Sequence, residues 1–156
     1  MKTNNLLCIV LMFVGLMSLN CAYAEESNKN IIVRQVWVRA MPPSQKTTAA
    51  YMTIENHSDK ELILESASTD VAAATEIHQM SHAGGMMRMK MLKNLKIPAN
   101  GQVVFESEGV HLMLINLKKN INKGDIIAIV LNFSDGSRLT VDADVRDEAE
   151  DERKEP

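Results

Sequence analysis

The sequence predicts an all-β sandwich built as one domain, and three observations predict it. From Ile31 onward the chain is a succession of short segments rich in Val, Ile, Leu and Thr, residue types that suit a pleated, half-buried surface. Clusters of Asn, Asp, Gly, Ser and Pro interrupt these segments at the spacing expected of a sandwich or barrel. No segment carries a long 3.6-residue apolar period, and only the alanine-bearing stretch from Thr69 to Thr75 could form a helical turn. A chain of 156 residues, 46% hydrophobic, is long enough for one domain with a real core.

Residues 1–24 have the pattern of an export signal. Lys2 precedes an apolar run from Leu6 to Leu19, and Ala22-Tyr23-Ala24 supplies small residues where a signal peptidase cuts. The expected mature start is therefore Glu25. Leu19-Asn20-Cys21 offers a lipidated cysteine instead, but Asn20 stands where a small residue is required. The apolar run is short against the roughly 20 residues of a spanning helix, so no stable membrane insertion is expected.

A polar leader, 25–30, opens the exported chain, and the domain proper is expected over 31–145. Its strands are predicted at 31–40, 47–56, 61–68, 74–80, 87–93, 102–106, 110–117, 125–133 and 138–145. Between them lie turns at Met41-Pro42-Pro43-Ser44, Asn56-His57-Ser58-Asp59, Ser81-His82-Ala83-Gly84-Gly85, Pro98-Ala99-Asn100-Gly101, Asn122-Lys123-Gly124-Asp125 and Ser134-Asp135-Gly136-Ser137. These residues reverse a chain through unusual dihedrals and local side-chain bonds, and Asp135-Gly136 is a good hairpin signal. Beyond Val145 the composition turns abruptly to acidic and basic residues, and 146–156 is expected to be a disordered acidic tail.

Composition removes several functions. Both cysteines fall within the first 21 residues, so the exported domain has no disulfide, thiol nucleophile, redox pair or thiolate metal site. Aromatic residues make up 4% of the chain, the formal charge is -3, and no Lys/Arg stripe is present. Nucleic acid is therefore not an expected partner. There is no phosphate-binding glycine loop, nucleophile elbow or His-Glu-x-x-His helix, and no enzymatic activity is expected.

The chemistry is concentrated between Glu76 and Met113, in a chain that holds 11 methionines. Ile77-His78-Gln79-Met80 is followed by Gly84-Gly85-Met86-Met87-Arg88-Met89-Lys90-Met91 and later by Gly109-Val110-His111-Leu112-Met113. Alternation along a strand puts His111 and Met113 on one face, about 7 Å apart, and does the same for His78 with Met80 and for Met87, Met89 and Met91. Imidazole with thioether is a soft donor set suited to Cu(I), whereas zinc recruits thiolates, imidazoles or carboxylates and calcium recruits oxygen. Without cysteine, neither a blue-copper centre nor a thiolate-bridged dinuclear centre can form. Met52 reads as core filler and His57 as a surface histidine in its turn.

His78, ten residues, Met89, twenty-one residues, His111, one residue, Met113 is a pattern that resembles the periplasmic copper chaperone A family. Trp37-Val38-Arg39, Ala49-Ala50-Tyr51-Met52, Gly101 and the strand from Gly124-Asp125 to Phe133 extend the resemblance over most of the exported domain. It implies a cupredoxin-like Greek-key β-sandwich that binds one Cu(I) through His78, Met89, His111 and Met113. It also implies delivery in the periplasm to the copper centre of cytochrome c oxidase or to a thiolate-bearing assembly factor. Met80, Met86, Met87 and Met91 add thioethers as an auxiliary rim, and His82, placed in the intervening turn, offers nitrogen to Cu(II). A monomer is the simplest state for such a carrier. Periplasmic copper buffering or resistance would use the same ligands, and a metal-free structural sandwich with methionines in its core is the bland alternative.

Overall fold

The computed structural model describes residues 30–147. The export signal, Cys21, the leader before Asn30 and the tail beyond Asp147 lie outside the described residues. Within them the chain forms ten strands and no helix: β1 (Ile31–Arg39), β2 (Thr47–Asn56), β3 (Leu62–Ser68), β4 (Ala72–Ala83), β5 (Met86–Leu92), β6 (Leu95–Ile97), β7 (Gly101–Phe105), β8 (Val110–Leu117), β9 (Ile126–Phe133) and β10 (Arg138–Arg146). No helix among the described residues is long and apolar enough to cross a membrane.

Hydrogen bonding links the strands into one continuous sheet in the order β5-β4-β8-β7-β2-β1-β10-β9-β3-β6. β2 pairs with β8 through Thr47–Ala50 and with β7 through Met52–Asn56. β1 joins β10 in parallel, Trp37 opposite Asp144, and nearly all other pairings are antiparallel. The sheet folds over on itself, because inward residues from its two halves form one cluster. Ala50, Met52, Ile54, Ile77, Leu112 and Leu114 from β2, β4 and β8 meet Leu62, Leu64, Ile127, Ile129, Leu131, Phe133 and Val145 from β3, β9 and β10. The fold is all-β and cupredoxin-like, and with no thiol in it the stability rests on this apolar burial.

The alternation that builds the core also builds an outer face. On β8, Leu112 and Leu114 are fully buried inward while His111 and Met113 take the other side. On β1 a bulge between Arg34 and Trp37, with Gln35 at φ 53°, inserts one extra residue. The bulge exchanges the parity of the strand, so that Ile31 and Val33 precede it and Val36 and Val38 follow it on the core side. Trp37 is thereby turned outward beside Tyr51, where the two form a second cluster with Ala49.

Three local expectations change. Thr69–Thr75 makes no helical turn: Asp70 and Val71 form a tight turn and β4 starts at Ala72. The five-residue turn expected at Ser81–Gly85 contracts to Gly84-Gly85, both at positive φ (63° and 75°), the geometry of a two-residue hairpin loop whose twist matches its strands. His82 consequently belongs to a strand. One strand is present beyond the nine predicted: β6, between the strands expected at 87–93 and 102–106, pairs with β3 through Leu62–Ile97 and Leu64–Leu95.

Candidate metal centre

Three strands position the soft donors. β4 lies between β5 and β8, and its register against both is unbroken from Ile77 to Gln79. His78 faces His111 on β8 and Met91 on β5, so the three side chains form one row across the outer face. One step along, Met113 stands opposite Glu76. One step in the other direction Met80 stands opposite Met89, and beyond them His82 stands opposite Met87. Met86, opposite Ala83, falls on the other side of the hairpin by alternation and is separated from this block.

The structure thus brings His78 and His111 together, with ring centroids 6.1 Å apart, and sets Met113 beside His111 on β8. Met89 is diagonal to His78, a relationship that long side chains can span. Met91, assigned only to the rim by sequence, occupies the row of the two histidines themselves. Met89 and Met91 are both about half exposed (51% and 52%), whereas His111 is almost completely buried (4%).

The hydrogen bonds of the two rings select their tautomers. His78 Nε2 lies 2.8 Å from Glu76 Oε2; a carboxylate accepts, so Nε2 carries the proton and Nδ1 the lone pair. That Nδ1 is buried and has no hydrogen-bond partner, an exception among buried polar atoms that calls for a cause. His111 Nδ1 donates to the Gly109 carbonyl at 3.3 Å, which leaves the lone pair on Nε2. An oriented imidazole whose second nitrogen is held by a carboxylate or carbonyl is the usual state of a metal-ligating histidine.

The surroundings of His111 disfavour its protonated form. Burial is the main cause that pushes its pKa below the ordinary imidazole value, His78 and Arg39 act in the same direction, and the bond to Gly109 opposes them. The Gly109 carbonyl also accepts from the Met80 N–H at 2.9 Å, so one oxygen ties β4 to the ring of His111. No side chain fits at this glycine without displacement, since a Cβ there would lie 2.8 Å from Glu106 Cγ.

Behind Met113 the outer face is backed by the aromatic cluster. Trp37 and Tyr51 are 4.5 Å apart between ring centroids, Arg39 lies over Tyr51 at 5.3 Å and Arg146 over Trp37 at 4.8 Å. Met113 packs against this group. Arg39 also donates to Ser107 Oγ at 3.0 Å, which ties it to the turn carrying Gly109. Sequence reasoning assigned no role to Glu76 or to this backing, although the two-residue spacing of Glu76 and His78 on one strand was a usable signal. His57 is exposed and bonded to Glu55 at 2.9 Å, as expected of a surface histidine, and Met52 is core.

Paired imidazoles with free lone pairs, flanked by methionines on one face of a cupredoxin-like sheet, define the class: a small β domain with a candidate soft donor site and, among the described residues, no thiolate. A family model described as "Putative lipoprotein LpqE-like" matches residues 31–145, and the chain belongs to this LpqE-like family. The match agrees with the family resemblance drawn from the His/Met motif.

Two relatives and two solved structures illustrate the similarity. "Putative lipoprotein Lxx21020" of Leifsonia xyli subsp. xyli is 30% identical over 116 residues, covering 74% of this chain and 69% of that protein. "Uncharacterized protein RP573" of Rickettsia prowazekii is 30% identical, and the match spans 64% of its length. The solution structure of CuI-DR1885 from Deinococcus radiodurans is 36% identical with a TM-score of 0.64, covering 79% of this chain and 82% of that one. The copper-bound PCuAC domain from PmoF2 has a TM-score of 0.64 at 19% identity, covering 76% and 93%, and at that identity it speaks for the fold.

Proposed function

We propose that this protein is an exported copper carrier that binds one Cu(I) ion through His78, Met89, His111 and Met113 and hands it to a thiolate-bearing acceptor. The observation that carries this is the pair of lone pairs left at His78 Nδ1 and His111 Nε2, the first of them buried without a partner. Neutral imidazole and thioether are donors that suit Cu(I). The similarity to CuI-DR1885, at 36% identity, supports copper as the cargo. Relatives described as lipoproteins support export.

The proposed role is carriage rather than catalysis. Release by stepwise exchange suits a site with half-exposed methionines at one edge, since an incoming thiolate can enter as a thioether leaves, and thiolate is the stronger ligand for a soft ion. The copper machinery of cytochrome c oxidase is the acceptor that the family resemblance implies. The periplasm is the compartment implied with it.

A competition titration with Cu(I) against a chromogenic chelator tests the site. The parent protein is expected to take a tight equivalent that is weakened in both His111→Ala and Met113→Leu. Absence of that equivalent in the parent would sink the proposal. Transfer to a thiol-bearing acceptor, followed on the same loaded protein, separates delivery from buffering.

A further inference from the structure

The β4–β5 hairpin carries more soft donors than one inner site uses. None of Met80, Met86, Met87, Met89 and Met91 belongs to either hydrophobic cluster, so core packing does not account for them. β5 is an edge strand of the sheet, and along it Met86, Met87, Met89 and Met91 are all more than half exposed. An exposed edge strand is usually guarded by charge. Here Arg88 and Lys90 take the face opposite Met87, Met89 and Met91, and the thioethers are left together.

We infer that Met80, His82 and Met87 form a second, outer Cu(I) position near the tip of this hairpin. His82 and Met87 are directly opposed, and Met80 is the next residue on the same face of β4. Directly opposed side chains have Cβ atoms about 5 Å apart, and neighbours along a strand on one face lie about 7 Å apart, both within the span of thioether and imidazole arms around one ion. The Gly84-Gly85 loop, with both residues at positive φ, fixes this register, because a two-residue loop leaves no slack for strand slippage. One imidazole and two thioethers make a three-coordinate set for a soft monovalent ion.

Met89 stands opposite Met80 and diagonal to His78, so it lies between the outer position and the inner one. A Cu(I) ion captured at the tip can pass inward by exchange of one neutral donor for another. The copper stays in its +1 state, and one Cu–ligand bond forms as one breaks. No proton or electron is transferred. The exposed hairpin is then the point of entry, and the buried histidine pair is the point of retention.

The outer position does not require the inner site to be the one proposed above, and the test separates them. Cu(I) is titrated into the purified protein against a chromogenic chelator, with the methionine methyl signals followed by NMR. A second, weaker equivalent is expected, which shifts the Met80 and Met87 methyls after the first equivalent is complete. His82→Ala and Met87→Leu, both at exposed positions, are expected to abolish that second equivalent and leave the first unchanged. A parent that binds one equivalent only and keeps it in His82→Ala, or a second equivalent that survives both substitutions, overturns the inference. If the parent binds only the equivalent that His82→Ala removes, the outer position stands and the inner-site proposal falls.

Discussion

His78 and His111 face each other across β4 and β8 with their ring centroids 6.1 Å apart, yet each ring is oriented by a different acceptor. His78 is held through Nε2 by a side chain, Glu76, and His111 through Nδ1 by a backbone carbonyl, Gly109. The pair would therefore approach an ion with unlike nitrogens, Nδ1 from one ring and Nε2 from the other.

Glu76 is accordingly a positioning residue. Glu76→Ala frees the His78 ring to change tautomer and rotate, and loss of such a partner lowers metal affinity by roughly tenfold or more. Competition titration gives the affinity, and nitrogen chemical shifts of the His78 ring show whether the Nε2–H tautomer is lost. An unchanged tautomer and affinity would assign Glu76 to the surface alone.

His111 also links stability to pH. Its folded-state pKa is lowered, chiefly by burial, so as pH falls below about 6.5 the unfolded chain takes up a proton that the folded chain resists. The unfolded state then binds more protons, and stability declines with falling pH. Urea melts of the metal-free protein are expected to show lower stability at pH 5.5 than at pH 7.5. His111→Gln, which can still donate to Gly109, should flatten part of that slope; a slope left intact would assign it to another group.

The single tryptophan of the chain reports on the site. Trp37 belongs to the cluster against which Met113 packs, so movement of the Met113 thioether toward an ion alters the surroundings of the indole. Cu(I) loading should change the Trp37 emission, and Met113→Leu should remove the change while keeping the fold, because the swap conserves volume. Emission that responds equally in both proteins would place the ion elsewhere.

Asn56 is a structural counterpart to the candidate metal ligands. It is buried, its amide donates to the carbonyls of Lys60 (2.8 Å), Ile97 (3.3 Å) and Pro98 (3.1 Å), and its oxygen accepts from Ser58. Asn56→Leu strands these carbonyls and is expected to destabilise the fold by about 2–3 kcal/mol. Chemical denaturation measures the loss, and Cu(I) affinity of the folded fraction should be unaffected.

Much of the architecture was legible because inward and outward residues alternate regularly in β9 and β10. β6 was not, since Leu95-Lys96-Ile97 is too short to show a period and becomes a strand only by pairing with β3. The bulge at Gln35 is equally silent in composition, though it decides which way Trp37 points. At the site, spacing brought out the histidines and Met113, but it could not order the methionines of β5, because distance along a chain does not state cross-strand register. Gly84-Gly85 held that information: a two-residue loop pairs His82 with Met87 and His78 with Met91, and the expectation of a five-residue turn hid it.

The same alternation gives the protein a proofreading property. His78 directly follows a core residue, Ile77, and Leu112 sits between His111 and Met113 with no exposed surface. A slip of one residue in β4 or β8 would turn the donors into the apolar interior and the leucine and isoleucine out to water. Under the proposed function, misassembled chains would be blind to copper as well as unstable, and the ion could be loaded only onto molecules that had already reached the correct register.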